Sequence, residues 1–290
     1  MVETFLQQVA NGVTIGVVYS LIAIGLTLIF GILGVINFAQ GEFYMLGGYM
    51  TFTLLTVTDL NFFVAMALSM LLVAALGVLS EYLTVHPLIG RHAFILMLST
   101  LGLSIFLANT TQIVWGPDPQ RIESPLAGKT LSLGGVVVTH ERLFILGCSV
   151  ASIVLVSRFI RRTRLGTAMR AVARDAEAAA LMGIDVRGVY AFTFAFGAGL
   201  AALAGTLLGA LFGITPFVGE WGVIKAFSVV IMGGMGNVQG AIWGGLILGI
   251  AENLGAGYIS TGYKDAVGYA IIILVLLFRP QGLFGGRRTA

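Results

Sequence analysis

Two groups of polar residues sit where the surrounding chain is apolar, and their types could do chemistry. The first is Asn37-Phe38-Ala39-Gln40-Gly41-Glu42, an acid and two amides around a glycine at the start of an apolar run. An ionised carboxylate at a bilayer centre costs about 2.5–3.5 kcal/mol on insertion scales. Glu42 therefore faces a cavity or a partner, or else lies near an interface where water or a helix N-terminus satisfies it. The second is Gly233-Gly234-Met235-Gly236-Asn237, with Gln239 just beyond. Each group is followed by a Gly-Gly pair, Gly47-Gly48 and Gly244-Gly245, an echo of the kind an internal repeat leaves. Interrupted apolar segments at corresponding positions often mark a transporter's solute path. Asn37, Gln40, Gly41, Glu42, Gly234, Gly236 and Asn237 are thus candidates for lining such a path, and plain helix breaking is the alternative.

A third feature is a charged island. Arg158, Arg161, Arg162, Arg164, Arg170, Arg174 and Arg187 fall between Arg158 and Tyr190, out of 16 basic residues in all. Arginine-rich loops between apolar spans face the cytoplasm. Within the island, Asp175-Ala176-Glu177-Ala178-Ala179-Ala180-Leu181-Met182-Gly183 predicts a short helix with Asp175 as N-cap and Gly183 just past its end. A membrane protein with one large structured loop of this kind offers it to a partner.

Equally informative is what the chain lacks. It has no Gly-x-x-x-x-Gly-Lys-[Ser/Thr] phosphate loop, no His-Glu-x-x-His, no Gly-x-Ser-x-Gly and no cysteine–histidine cluster. Its one cysteine, Cys148, reads as a small hydrophobe in an apolar run. No metal or cofactor is expected. A row of embedded carboxylates suited to ion coupling is also missing, so uphill transport would need energy from a partner.

The elements that must position these residues follow from composition. Hydrophobic residues make up 58% of the 290 and charged residues 10%, with mean hydropathy +0.98. A soluble domain is about a quarter charged, so this chain cannot cover a water-facing surface. The net charge of +3 reflects loop arginines and is no argument for nucleic acid. The expectation is an all-α polytopic bundle, a single domain over 1–290, with about eight or nine spans of roughly 20 residues in a lipid bilayer. Apolar runs cover about Leu6–Leu33, Phe38–Val57, Phe62–Tyr82, Ala93–Trp115, Leu143–Val156, Val189–Phe212 and Val267–Phe278. Between the fourth and fifth, prolines and glycines including Gly134-Gly135 mark turns, and Val136 to Thr139 predicts a short strand. Trp221–Met232 and Gly240–Ala251 are shorter and are separated by the glycine break. Backbone broken in this way is tolerated in a membrane only where protein or a water-filled cavity surrounds it. With the island and the C-terminal Arg287 and Arg288 both cytoplasmic, an even number of crossings must lie between them. Either the break is re-entrant and the run at Gly240 does not fully cross, or there are four short crossings. Gly12 with Gly16, Gly205 with Gly209 and Gly213, and Gly236 with Gly240 and Gly244 form small-residue stripes suited to close helix packing. Lys264-Asp265 is expected in water at the outer interface.

The chain resembles the membrane subunit of a bacterial ABC importer for branched-chain amino acids, of the LivH kind in the LivH/LivM family. The resemblance runs through Asn11-Gly12-Val13-Thr14, Tyr19 to Gly25, Ile36 to Glu42, Leu181-Met182-Gly183-Ile184, Gly245 to Glu252 and Arg279-Pro280-Gln281-Gly282-Leu283. The family usually has histidine where Gln40 stands and proline where Gln239 stands. Glu177-Ala178-Ala179 followed by Gly183 is similar to the Glu-Ala-Ala…Gly coupling loop of importer permeases. The resemblance implies that residues 158–188 form a cytoplasmic coupling loop, with Arg164, Gly166, Arg170, Arg174, Asp175, Glu177, Ala178, Ala179 and Gly183 as its working residues. It further implies a homologous second permease, two cytoplasmic ATPase subunits and a periplasmic substrate-binding protein, assembled at the bacterial inner membrane. Import of urea, short-chain amides or other amino acids by the same architecture is an alternative. An ATPase-independent channel or secondary transporter is the rival from another class.

Overall fold

The computed structural model describes residues 2–133 and 136–285, and they are predominantly helical. The helices are α1 (Val2–Leu33), α2 (Gln40–Thr58), α3 (Phe62–Ser80), α4 (Ala93–Trp115), α5 (His140–Arg162), α6 (Arg164–Arg174), α7 (Ala176–Leu181), α8 (Val186–Phe212), α9 (Val218–Gly233), α10 (Val238–Tyr258) and α11 (Lys264–Phe278). The expected strand is present: β1 (Thr130–Leu133) pairs antiparallel with β2 (Val136–Thr139). The side-chain amide of Gln7 exchanges two hydrogen bonds with the backbone of Val137, at 2.9 and 3.0 Å, and so covers part of the open strand edge. The Gly134-Gly135 turn and the arginines at 287 and 288 lie outside the described residues.

The bundle has a buried centre and an apolar rim. Of the most apolar stretch of α1, 83% is buried, and 78% of that of α8, against 11% for α4 and 6% for the α11 span. A helix that is apolar around its whole circumference belongs in a core or a membrane. Helices α1, α2 and α8 pack together as the centre, and α9 and α10 close over α1. Outer helices turn large apolar side chains outward, among them Ile105, Ile113, Leu155 and Leu277, a surface that suits lipid and not water.

Close contact between α1 and α10 sets the direction of both. A methyl group added at Gly12 would lie 2.6 Å from the Ile250 Cα, and one at Gly16 would lie 2.7 Å from the Gly245 carbonyl oxygen. Further along α1, Gly31 meets Gly236, and at the other end Gln8 meets Gly257. Helix α10 therefore runs antiparallel to α1 over nearly its whole length. Helices α9 and α10 bend by 115° at the glycine break. Helix α10 therefore does not stop partway along α1, while α9 and α10 together form one broken span or a re-entrant turn. By length and composition, six helices among the described residues qualify as spans on their own, and counting the bent pair as one span brings the number to seven. The sequence expectation of eight or nine counted α2, α9 and α10 separately. Helix α2 does not qualify because Gln40, Glu42 and its glycines and threonines lower its hydropathy.

The glycine stripes divide between two uses. Gly205 lies against the Tyr44 carbonyl and Gly240 against Gly233, which is close packing. Gly213 and Gly236, with φ of +79° and +83°, instead form turns at the ends of helices.

Replacing Gly245 by leucine is expected to lower the thermal unfolding midpoint of the detergent-solubilised protein, since overpacking costs about 1–3 kcal/mol. Gly102→Leu, at an α4 glycine with nothing within 4 Å of an added methyl, should leave the midpoint unchanged. Equal midpoints for the two variants would refute backbone contact as the basis of the α1–α10 interface.

Candidate functional site

The chain between α1 and α2 turns back into the bundle. Asn37 is fully buried, and its Oδ1 accepts from the Ala39 N–H at 3.1 Å. Thr100 on α4 holds the adjoining loop, its hydroxyl donating to the Ile36 carbonyl at 3.1 Å and accepting from the Phe38 N–H at 3.3 Å. Helix α2 then starts beside Gly25 of α1, well before α1 ends at Leu33.

Two positions apart, Gln40 and Glu42 point to different sides of α2, roughly 200° around the axis. Gln40 donates from Nε2 to the Gly197 carbonyl at 3.0 Å, between α1 and α8. Glu42, only 3% exposed, accepts from the Ser104 hydroxyl on α4 at 3.1 Å and lies over Gly219 of α9. Among the described residues its second oxygen has no hydrogen-bond partner, nor do Gln40 Oε1 and Asn37 Nδ2. The structure thus buries Glu42 among the helices of the bundle. Gly41 touches Gly219 and Val223, so α2 and α9 meet without a side chain between them.

The other half of the predicted path lies elsewhere. Gly234 faces Gln281 and Gly285, and Gly236 faces Gly31, six residues nearer the end of α1 than Gly25. At 1.5 Å per residue the two breaks differ in depth by about 9 Å. Asn237 acts as the N-cap of α10: its Oδ1 accepts from the N–H groups of Gln239 at 3.0 Å and Gly240 at 3.1 Å. A cleft of about 220 Å³ beside it is lined by Thr27, Gly31, Met169, Arg170, Gly236 and Val238. The structure therefore does not join the two candidate groups into one site.

The arginine island folds as two short helices. Thr163 caps α6, accepting from the Gly166 N–H at 3.0 Å, and Gly166 packs against the Ile160 carbonyl. Met169 and Val172 are buried, while Arg164, Arg170 and Arg174 project outward. Arg170 also donates to the Ile160 carbonyl and, at 3.2 Å, to the Thr167 hydroxyl. Asp175 caps α7 through the Ala178 N–H at 2.9 Å. Gly183, at φ +82°, ends it: its N–H reaches the Ala180 carbonyl, and the Ile184 N–H reaches that of Ala179. Ala179 is buried, Glu177 and Ala178 are exposed, and Leu181 and Met182 are 89% and 83% exposed.

One cluster escaped the sequence reading. Lys225 on α9 is 1% exposed, with Nζ 2.5 Å from Glu252 of α10 and 2.7 Å from Asp265 of α11. The Tyr19 hydroxyl donates to Glu252 at 3.1 Å, and the rings of Tyr269, Trp221 and Tyr19 surround the ammonium at 5.5, 5.7 and 6.0 Å. Asp265, expected in water, is half-exposed and ion-paired. The available signal was a lone lysine in an apolar run facing a lone glutamate in the next.

A family model described as "Branched-chain amino acid transport system / permease component" matches residues 8–276. The chain belongs to that permease family. It is 40% identical to the high-affinity branched-chain amino acid transport system permease protein BraD of Pseudomonas aeruginosa, over 97% of this chain and 96% of that protein. Identity to the LivH permease of Escherichia coli is 39%, over 97% of this chain and 96% of that one. The Escherichia coli LivM permease is 27% identical, over 93% of this chain and 68% of its own length. The solved structure of PsaBC from Streptococcus pneumoniae with Fab aligns at TM-score 0.52 and 15% identity, covering 96% of this chain and 92% of that one, a likeness of fold. As a family permease with several helices apolar enough to cross a bilayer, the chain is a multi-pass membrane protein.

Lys225→Met is expected to reduce the yield of folded protein strongly, because breaking a buried ion pair costs about 3–5 kcal/mol. The double variant Lys225→Met/Glu252→Gln, which removes both buried charges, should recover part of that yield by size-exclusion chromatography. A double variant worse than the single would refute mutual neutralisation.

Proposed function

We propose that this chain is the translocating subunit of an ATP-binding cassette importer for branched-chain amino acids at the bacterial inner membrane, and that helices α6 and α7 are its seat for a cytoplasmic ATPase. The observation that carries this reading is the construction of α6–α7. Both are capped at their N-termini and anchored from beneath by Met169, Val172 and Ala179, yet they expose Leu181 and Met182 almost completely. Two large apolar side chains on a water-facing loop call for a partner groove, as in other helix-in-groove contacts. The surrounding arginines support a cytoplasmic side for that loop.

Energy must arrive from outside, since the chain has no phosphate-binding loop of its own. On this reading two ATPases close on ATP and push α6, and Met169 passes the displacement to α1 and the α9–α10 turn across the shared cleft. A second permease related to LivM completes the membrane pair, and a periplasmic binding protein delivers the solute. The branched-chain substrate is inferred from BraD and LivH, whose names carry it. The interior carboxylate of Glu42, beside the Gly41–Gly219 contact, is the part of the bundle fitted to meet a solute's ammonium group.

Affinity purification in mild detergent should bring down ATPase subunits, and leucine with the binding protein should stimulate ATP hydrolysis. Stimulation by urea in place of leucine would overturn the assigned substrate, and absence of any nucleotide-binding companion would overturn the importer itself. Ala179→Pro, which breaks α7, is expected to abolish ATP-coupled leucine uptake while leaving membrane insertion intact. Uptake at wild-type rates in that variant would remove the docking role. Gly41→Val should impair uptake by at least severalfold, by forcing α2 and α9 apart, with wild-type uptake refuting the placement of Gly41 at the path.

A further inference from the structure

The family reading leaves the charges joining α9, α10 and α11 without a role. Burying Lys225 and Glu252 is costly, and such residues inside membrane bundles are retained where they act. We infer that Lys225 is a clasp with one fixed arm and one releasable arm: the arm to Glu252 locks α9 to α10, and the arm to Asp265 holds the start of α11 down and lets go during the transport cycle.

The two arms differ in their surroundings. Glu252 is fully buried, bonded to Tyr19 and covered by Gly268, so Lys225–Glu252 is shielded from water. Asp265 has 51% of its side chain exposed, so its attraction to Lys225 is weakened by solvent and easily exchanged for water. With Asp265 released, the ammonium still has Glu252 and three aromatic faces, so opening does not strand a buried charge.

Helix α11 is built to move about one end. Gly268 is the one residue it buries fully among those described. Beyond its other end the chain is fixed by backbone bonds, from the Leu283 N–H to the Met232 carbonyl at 2.8 Å and from the Phe284 N–H to the Gly233 carbonyl at 3.3 Å. Gly255 and Gly268 lie against Val267 and Glu252 at the clasp, so the contact there is smooth. The anchored end lies beside the α9–α10 turn and the α6 cleft, and the clasp is at the opposite face of the bundle. Lys225 is thus a positioning residue. It sets where α11 sits on the face opposite the arginine island, which on the importer reading is the one solute arrives from.

The test is hydrogen–deuterium exchange over residues 261–268 of the assembled complex in nanodiscs, without nucleotide and with a non-hydrolysable ATP analogue. In the wild type, exchange should differ by roughly two- to fivefold between the two states, the range an exposed ion pair supports. Asp265→Asn should exchange at the faster rate in both states, and its solute stimulation of ATP hydrolysis should fall toward unity. Glu252→Gln, which leaves Asp265 as the one acidic partner of Lys225, should hold the arm closed and exchange at the slower rate in both states. A merely structural contact predicts wild-type exchange independent of nucleotide, and that result overturns the clasp. If no ATPase co-purifies, the importer reading fails separately. In the isolated chain, equal exchange in wild type and Asp265→Asn would still overturn the clasp, because the Asp265 arm would then hold nothing.

Discussion

Backbone-to-backbone contact between α1 and α10 is the constraint on which the rest of the molecule depends. In lipid, apolar side chains gain nothing by leaving their surroundings, so helices associate through close packing and interhelical hydrogen bonds. Gly12 and Gly16 against Gly245 and Gly249 bring the two axes together over several turns. Because α10 must follow α1, the glycine break at 234–237 is forced to the arginine-bearing end, beside α6. The same pairing carries Glu252 to Tyr19 and to Lys225 of α9. The register of small residues thus fixes both the turn beside α6 and the buried charge cluster.

Broken helices raise a second requirement, that every freed backbone group find a partner inside protein. The structure meets it with side chains and returning chain. Thr100 holds the loop before α2, Asn237 caps α10, and residues 283–284 satisfy carbonyls at the end of α9. Asn237 also donates from Nδ2 to the Phe284 carbonyl at 2.8 Å, tying the turn to the chain beyond α11. Such partners can be exchanged one for another, as the interior hydrogen bonds of a continuous helix cannot. The breaks are therefore the places where the bundle can change shape without exposing backbone to lipid.

The sequence made the class, the caps and the broken segments legible because each is local. Asp175 and Gly183 bracket α7 by the chemistry of helix ends, and Gly233 to Asn237 stop α9 because glycine and a capping amide favour a turn there. Depth was not legible. Asn37 and Asn237 look alike along the chain, each an amide beside a glycine break. One is sealed inside the bundle and the other lies at its end, because depth depends on which helices surround a residue. Charge pairing was missed for the same reason. Lys225, Glu252 and Asp265 lie far apart in sequence, and Asp265 by itself looks like a solvated helix start.

The placement of rigid and yielding parts bears on how such a chain could transmit work. Helix α6 rests on α1, α5 and α8, so a push on it reaches the buried centre and not the lipid-facing rim. Near the end of α1, Gly31 lies against Gly236 of the α9–α10 turn without side chains that could interlock, which permits sliding. Farther into the bundle, Gly41 and Gly219 make a second smooth contact, with the Glu42 carboxylate over it. On the importer reading, a displacement entering at α6 would meet two glycine contacts in series before it reached the Lys225 cluster. There the helices are joined by charge, and Lys225–Glu252 cannot separate without stranding a buried ion. Motion in α9 and α10 must then be concerted, whereas α11 is held at that end by a pair whose acid is half-exposed.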